Sequence, residues 1–395
     1  MGMIKSLSMP YESSVSEMNF SQMALVNKLL DEILVEYSEL ISDIENRRAP
    51  SSVLKLEIEK KVSKEKGIFD SESVKNLLFD TLYGYGSLQA LVLDDDITDI
   101  DIPRFNYVLI KRKGVIEKSP LVFASEEEFE RLCKLLIIRH GGIINEVDNH
   151  CRVSDKVNFL RINVSIPPRN AYGASMNIRK HKPIAYSFED LLKLDFLDEV
   201  SKKWLTIINH NKSNFIICGK GASGKTTLLR TMIENGDEYE RVLICESDVE
   251  LYPQKPNTIV QYIKKNQLGG KMVTLSDLIK EGLTMSLDSY CIGEIVGQES
   301  WDFIKAGYSD HRVMATLHAS GSHDALDRMM LLSENETRFN PDKMMQLIGK
   351  AVQYIIYVSH FQVREIWHVL GYDPISQQYV MKTEYLKTET GGRDG

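Results

Sequence analysis

The sequence predicts an α/β chain: a helix-covered parallel sheet with a phosphate-binding loop, preceded by an α+β domain and a helical front end. Three observations lead there. From Ser187 onward, short apolar runs at Phe215–Cys218, Val242–Cys245, Tyr290–Ile292 and Val313–Leu317 alternate with helical stretches, the pattern of parallel strands buried beneath helices. Residues 219–226 read Gly-Lys-Gly-Ala-Ser-Gly-Lys-Thr directly after the first of those runs. Between Ile97 and Ile178 the apolar residues shift to strand-like alternation.

Length and composition bound the reading. A chain of 395 residues has room for roughly two or three domains, and 43% hydrophobic with 26% charged residues is ordinary globular usage. The net charge of -8 argues against a chain built to coat nucleic acid. The longest apolar stretches, Leu132–Ile138 and Ala351–Val358, fall short of the ~18 residues of a membrane span. Met1–Pro10 shows no basic region followed by an apolar core, so no secretory signal is expected. Cys133, Cys151, Cys218, Cys245 and Cys291 form no CxxC pair. They are expected as small buried residues at strand ends in a reducing compartment.

The front end is helical. Val26, Leu29, Leu30, Ile33, Leu34, Tyr37, Leu40, Ile41 and Ile44 fall at helical spacing, which makes residues 15–44 an amphipathic helix. Arg47-Arg48-Ala49-Pro50 ends it. A charged helix is expected over Ser52–Lys66 and another over Ser71–Tyr83. The acidic residues of the first helix (Asp31, Glu32, Glu36, Glu39, Asp43, Glu45) would repel anionic lipid, so packing or docking within its own assembly is the expectation.

In the α+β region, Tyr107–Lys111 and Val115–Lys118 flank Lys113-Gly114 and read as a hairpin. Ser125–His140 reads as a helix. Leu160, Ile162, Val164 and Ile166 alternate with Arg161, Asn163 and Ser165, and Ala174, Met176 and Ile178 with Ser175, Asn177 and Arg179. Arg161 and Arg179 thus fall on polar strand faces. Lys180-His181-Lys182-Pro183 reads as a linker. The expected divisions are a helical extension over 1–70, the α+β domain over 71–180, a linker over 181–188 and the helix-covered parallel-sheet domain over 189–395.

The loop Gly219-Lys220-Gly221-Ala222-Ser223-Gly224-Lys225-Thr226 satisfies G-x-x-x-x-G-K-[ST] in full, after a strand and before a helix over Thr227–Glu234. Its glycines let successive N–H groups turn toward phosphate oxygens, and the helix N-terminus favours the anion. Gly219, Gly221, Ala222, Ser223, Gly224, Lys225, Thr226 and Thr227 are therefore the expected ATP-binding residues. Lys225 reaches the β- and γ-phosphates and the Thr226 hydroxyl ligates Mg²⁺. Hydrolysis also needs carboxylates. Glu246 closes one apolar run and Glu294 follows another, at strand ends that face the ligand crevice of a parallel sheet. Glu246 is expected to position or deprotonate water, and Glu294 to hold the Mg²⁺ shell, although either glutamate suits either role. His318, after a further run, suits a phosphate sensor.

These motifs resemble those of the secretion ATPases of bacterial type II and type IV secretion and pilus assembly, with the tight-adherence (Flp) pilus branch nearest. The resemblance runs from about Leu77 onward. It rests on Gly84-Tyr85-Gly86-Ser87-Leu88, on Arg161-Ile162-Asn163 and Ile178-Arg179-Lys180, and on an acidic box from Glu246 to Glu250-Leu251. Gly293-Glu294-Ile295 and Thr316-Leu317-His318-Ala319-Ser320 complete it. It implies an N-terminal domain linked to a RecA-like ATPase domain, assembled as a hexameric ring. Arg161 and Arg179 would lie near the phosphates. It further implies a motor at the cytoplasmic face of the membrane. That motor would act through a polytopic platform protein and reach pilin or secreted substrate indirectly, with no nucleic acid partner.

The departures from the family pattern lie at charged positions. Ser247 stands where an Asp follows the Glu of the acidic box. Val296, Thr284 and Lys265 stand where arginines are usual, and Tyr308 where a histidine opens the His box, with His311 nearby. Arginines are always charged and fork to phosphate, so their loss points to slow turnover or to a catalytic role shared with a partner. The competing readings are an active assembly motor, a weakly hydrolysing regulatory or scaffold subunit, and a DNA-translocating RecA-like motor. ATPase assays separate the first two, and salt-dependent DNA binding would favour the third.

Overall fold

In the computed structural model the described residues are 25–387, apart from 27, 31, 34–35, 38–39, 41–43, 45–47, 66–70, 264–271 and 334–339. The front-end expectations at residues 15–24, Leu34, Ile41, Arg47 and Lys66, and the acids Asp31, Glu39, Asp43 and Glu45, lie outside them. The chain divides into two compact units, Met1–His181 and Lys182–Gly395.

The first unit begins with helices. Val26, Leu29, Leu30 and Ile33 are buried against Leu54, Ile58 and Val62 of α1 (Ser51–Lys64) and Val74, Leu77, Leu78 and Leu82 of α2 (Ser71–Tyr83). The four-residue spacing of the α1 set puts one apolar stripe on that charged helix. After a 3-10 turn at Gly86–Leu88 and the short α3 (Gln89–Leu93) comes an antiparallel sheet. Its strands are β1 (Ile97–Arg104), β2 (Tyr107–Arg112), β3 (Val115–Lys118), β4 (His150–Asp155), β5 (Leu160–Ser165) and β6 (Ser175–Lys180), in the order β3-β2-β1-β6-β5-β4. The β2–β3 turn has Lys113 at φ 49° and Gly114 at φ 85°, the positive angles a two-residue hairpin loop demands.

Helix α4 (Glu126–Arg139) covers one sheet face with Phe129, Leu132, Cys133, Leu136 and Ile137. Its N-cap Ser125 accepts the Glu128 N–H, three glutamates fill its first turn, and Arg139 sits in its last, all favourable to the helix dipole. Alternate strand residues such as Ile100, Ile162, Val164 and Ile178 point into that core. Two strands, β1 and β4, escaped the alternation reading. Two expectations need correction. Lys180 is the last residue of β6, held there because its ammonium donates to the carbonyls of Val92 and Asp94 at 2.6 Å each. Cys133 is buried on a helix rather than at a strand end.

The second unit holds an eight-stranded sheet in the order β14-β13-β12-β7-β11-β10-β8-β9. Its strands are β7 (Phe215–Gly219), β8 (Val242–Glu246), β9 (Thr258–Tyr262), β10 (Ser289–Ile295), β11 (Arg312–His318), β12 (Tyr354–Ser359), β13 (Gln362–Asp373) and β14 (Gln378–Leu386). β12, β7, β11, β10, β8 and β9 run parallel, while β13 and β14 add an antiparallel hairpin.

Strand residues divide cleanly between the two faces. Ile216, Cys218, Leu243, Cys245, Ile292 and Leu317 pack with α8 (Leu275–Gly282), α9 (Glu299–Tyr308), α10 (Ser322–Ser333) and α11 (Pro341–Ala351). Phe215, Ile217, Val242, Ile244, Cys291 and Met314 pack with α5 (Phe188–Lys193), α6 (Glu199–His210) and α7 (Lys225–Glu234). Burial on both faces explains why these strands read as unbroken apolar runs. The stretch Ala351–Val358 is two elements, with Ala351 closing α11 and the rest entering β12. The helix after the phosphate loop starts at Lys225, two residues ahead of expectation.

At the foot of this sheet a buried charge network fastens the strand starts. Arg312, 6% exposed, donates to Glu240 Oε1 and Oε2 at 3.0 and 2.9 Å and to Asn209 Oδ1 at 2.7 Å, and Ser289 donates to the same carboxylate. Removing one partner strands the other's charge in a dry site. Arg312→Ala should therefore lower stability by about 3–5 kcal/mol, and the double variant Arg312→Ala/Glu240→Ala should recover part of the loss. Urea unfolding checks this, and equal stability of wild type and the single variant would remove the network's structural role.

Candidate nucleotide site

The site forms where β7 ends. All five residues of β7 are buried, and the chain leaves the sheet at Gly219, where a Cβ would come within 2.2 Å of the Val358 carbonyl oxygen. The loop turns into α7 through Gly224 at φ 103°, where a Cβ would meet the Phe196 ring at 2.6 Å. No other residue type fits either position without displacing its neighbour. The first N–H groups of α7 then open toward the loop, without partners inside the helix.

Lys225 is 6% exposed and curls back, donating from Nζ to the carbonyls of Gly219 (3.1 Å) and Lys220 (2.9 Å). Burial lowers its pKa, and the nearby Glu294 carboxylate opposes that shift. Glu294 lies inside β10 rather than after it, and its Oε1 sits 2.7 Å from Nε2 of His318, the last residue of β11. The contact becomes an ion pair when the imidazole is protonated. Thr316 donates to the Gly293 carbonyl at 2.6 Å and so ties the two strand ends together. Thr226 and Thr227 follow Lys225 in the first turn of α7, both half-buried. Lys220, Gly221, His318, Ala319, Ser320 and Asp324 line an open cleft of ≈ 540 Å³, which Asp327 and Arg328 of α10 extend.

Glu246 is built differently. It ends β8 at 2% exposure, and its Oε1 accepts the N–H groups of Glu250 and Leu251 at 3.0 Å each. Its Oε2 is buried with no hydrogen-bond partner. Burial pushes its pKa up to about 8 against the pull of the two N–H groups. Its side chain rests on Gly293, beside Glu294, with Cγ 3.2 Å from where a Cβ would stand. The structure thus brings Lys225, Glu294 and His318 together and sets Glu246 one strand away.

Sequence reasoning missed Arg230, an arginine on the apolar side of α7. It is 8% exposed, 3.4 Å from the Pro183 carbonyl, and within electrostatic reach of Glu234, Tyr252 and Glu246. Its signal was a charge within the run Leu228–Ile233. The cleft residues of α10 carry no motif and could not have been found. Cys218, Cys245 and Cys291 are buried, and burial raises all three thiols, Cys245 to about 12. They are packing groups.

Arg161 and Arg179 stand directly opposite each other on β5 and β6 of the first unit. Arg179 Nε donates to Asp99 Oδ1 at 3.0 Å. β4 brings Arg152 opposite Asn163, adding a third arginine to that polar face. At the departures from the family pattern, Val296 is 57% exposed, Thr284 caps the Glu281 carbonyl at 2.8 Å, and Tyr308 is 55% exposed. Lys265 lies outside the described residues.

Residues 148–358 match the family model described as type II/IV secretion system protein. The chain belongs to that family. Its first unit holds the helices and the antiparallel sheet, and its second the helix-covered, mostly parallel sheet with the phosphate loop. A putative conjugal transfer protein, Rv3659c of Mycobacterium tuberculosis (strain H37Rv), is 26% identical over 272 residues, covering 67% of this chain and 77% of that protein. The type IV secretion system protein VirB11 of Bartonella quintana is 28% identical over 322 residues, covering 77% and 83%. Among solved structures, the Legionella pneumophila ATPase DotB aligns at 16% identity with a TM-score of 0.49, over 75% of this chain and 78% of that one.

The raised pKa of Glu246 has a sign that can be measured. Between its ordinary value of 4.5 and about 8 the folded chain keeps a proton that the unfolded chain releases. Stability should therefore fall as pH rises through that window, at up to ~1.4 kcal/mol per pH unit from this group. Glu246→Gln keeps the acceptor oxygen and cannot ionise. Its stability advantage over wild type should grow from pH 5 to pH 8 in urea unfolding; parallel pH profiles would show that Glu246 ionises freely in the folded state.

Proposed function

We propose that this chain is an ATP-hydrolysing motor, assembled as a hexameric ring. It would power pilus assembly or protein secretion at the cytoplasmic face of a membrane through a polytopic platform protein. The observation that carries this reading is the convergence of the phosphate loop, Lys225, Glu294 and His318 at the carboxyl ends of adjacent parallel strands, in a chain of this family. Relatives named for conjugal transfer and type IV secretion support the machine class. Among the described residues no helix is long and apolar enough to cross a membrane. Within the family, the branch we propose is that of the tight-adherence (Flp) pilus ATPases.

The site residues fit ATP and Mg²⁺. A magnesium ion keeps waters and phosphate oxygens as ligands and needs only one or two protein oxygens, which Thr226 and Glu294 would supply. Bound there, it would neutralise charge between the phosphates. Lys225 places its ammonium at the terminal phosphates once it turns from the loop carbonyls, and the N–H groups of residues 221–227 hold the phosphate chain. Glu246 positions the attacking water, or takes a proton from it once the carboxyl is ionised. His318 donates to the terminal phosphate or back to Glu294, and so registers whether that phosphate is present. Arg161 and Arg179 are assigned to the same phosphates as bidentate donors. In this reading residues 1–70, 71–180, 181–188 and 189–395 are the extension, N-terminal domain, linker and ATPase domain.

A second reading has its own observation. Val296 presents an uncharged side chain to solvent where family members carry an arginine, and one arginine at a phosphoryl-transfer site can be worth about 10³–10⁵ in rate. A nucleotide-binding subunit with feeble turnover fits that loss. Steady-state hydrolysis by the purified oligomer decides between the two.

Lys225→Ala should abolish hydrolysis and weaken ATP binding; unchanged turnover would sink the phosphate-loop assignment. Glu246→Gln should bind ATP and lose about 10²–10⁴ in turnover. If instead Glu294→Gln alone stops the reaction, the two glutamates exchange roles.

Sedimentation with and without a slowly hydrolysed ATP analogue should reveal a hexamer, and a strict monomer under both conditions would remove the ring.

A further inference from the structure

The segment after His318 is fastened from an unexpected side. α10 begins four residues beyond the histidine, and its first residue, Ser322, is 2% exposed. Ser322 Oγ donates to Glu365 Oε2 on β13 at 2.7 Å. The same oxygen accepts from Trp367 Nε1 at 2.8 Å. The Trp367 ring in turn meets His323 edge-on, with centroids 4.9 Å apart. Glu365 lies level with the phosphate loop, since it pairs with Tyr357 of β12, which pairs with Cys218 of β7. Between His318 and Ser322 lie only Ala319, Ser320 and Gly321. Two of these, Ala319 and Ser320, line the cleft beside the phosphate loop.

We infer that Glu365 is a positioning residue: through Ser322 it latches the His318 segment to β13 and sets the imidazole's height over the phosphate loop. Both bonds are charge-assisted and end on one oxygen, so a shift of the segment must stretch one bond or drag Trp367 along. Phosphate occupancy at His318 is thereby carried into the C-terminal hairpin. The inference rests on the proposed role of His318 in sensing the terminal phosphate.

The test uses the full chain and Mg-ATP. Glu365→Ala and Ser322→Ala should each lower kcat about tenfold while KM for ATP stays within about twofold, the signature of lost positioning rather than lost binding. Glu365→Gln keeps an acceptor oxygen and should recover most of the rate. The double variant Ser322→Ala/Glu365→Ala should be no slower than Glu365→Ala alone. In a Trp204→Phe/Trp301→Phe background Trp367 is the remaining tryptophan, and its emission should change on adding Mg-ATP. Ser322→Ala leaves the bond between Trp367 and Glu365 in place and should abolish that change. If Glu365→Ala fails to fold, Ser322→Ala, which deletes one hydroxyl, carries the test.

His318→Ala separates the two claims. If it stops turnover while Ser322→Ala and Glu365→Ala run at wild-type rates, the latch is overturned and the sensing role stands. If His318→Ala turns over normally, the sensing role fails. The emission of Trp367 then decides the latch: an unchanged response in Ser322→Ala overturns it, and a lost response supports it.

Discussion

Everything at the candidate site depends on β7 being a parallel strand buried on both faces between β11 and β12. A strand so enclosed has no room for side-chain chemistry along its length. It must release the chain abruptly where its neighbours are still paired. Val358 of β12 stands so close to that exit that Gly219 is the only residue type that passes. The loop then has to climb out of the sheet and return as α7, which leaves unpaired N–H groups facing outward at the carboxyl edge. A phosphate site is thus a consequence of the strand order, and the lysine folded back onto the loop carbonyls offsets the same exposed polarity from the other side.

The two ends of this sheet handle charge in opposite ways. At the foot, Arg312 and Glu240 are both buried, and each is satisfied by the other and by neutral donors and acceptors. Such a network fixes strand starts and does nothing else. At the carboxyl edge, Glu246 is equally buried but only half satisfied. One oxygen accepts two backbone N–H groups and the other accepts none. Desolvation that the two N–H groups and Arg230 only partly offset is what raises this carboxyl's pKa, and a carboxyl poised near neutrality is what proton transfer at neutral pH uses. The fold places its quiet charges where the helices seal the sheet and its restless ones where the strands open.

Much of this was legible because the strands that matter are short, apolar and evenly spaced. Burial on both faces erases the alternation that marks a half-exposed strand, and what remains, the unbroken runs at Phe215, Val242, Tyr290 and Val313, is the mark of a parallel core. The phosphate loop, Glu246, Glu294 and His318 were found because each directly abuts or extends such a run. What stayed hidden lacked a local pattern. β13 and β14 bury one face weakly and carry charged residues on the other, so Glu365 reads as a surface acid until the register places it level with the phosphate loop. β4 alternates through Cys151, Val153 and Asp155, and the buried aspartate breaks the apolar series. Asp155 is tolerated inside because Tyr85, Asn158 and two loop N–H groups donate to it, a set of partners drawn from distant and near sequence that no window could reveal.

The contrast between Glu294 and Glu246 indicates how such a site can respond to a ligand. Glu294 and His318 meet at 2.7 Å, yet both side chains are more than two-fifths exposed. An exposed pair of this kind is worth only about 0–1 kcal/mol, so an anion arriving at the loop can compete for the imidazole at small cost. Glu246 is held by backbone donors on a loop that packs Leu251 into the core, and moving it means moving that loop. One strand end therefore offers a pair that can be exchanged, and the next an acid that keeps its place. Because Thr316 of β11 is bonded to the Gly293 carbonyl, between the two glutamates, a change in partner at His318 acts on the same short stretch of β10 against which Glu246 rests. The response and the acid meet on one stretch of β10, at Gly293 and Glu294, and that closeness follows from the pairing of β8, β10 and β11 rather than from any side-chain motif.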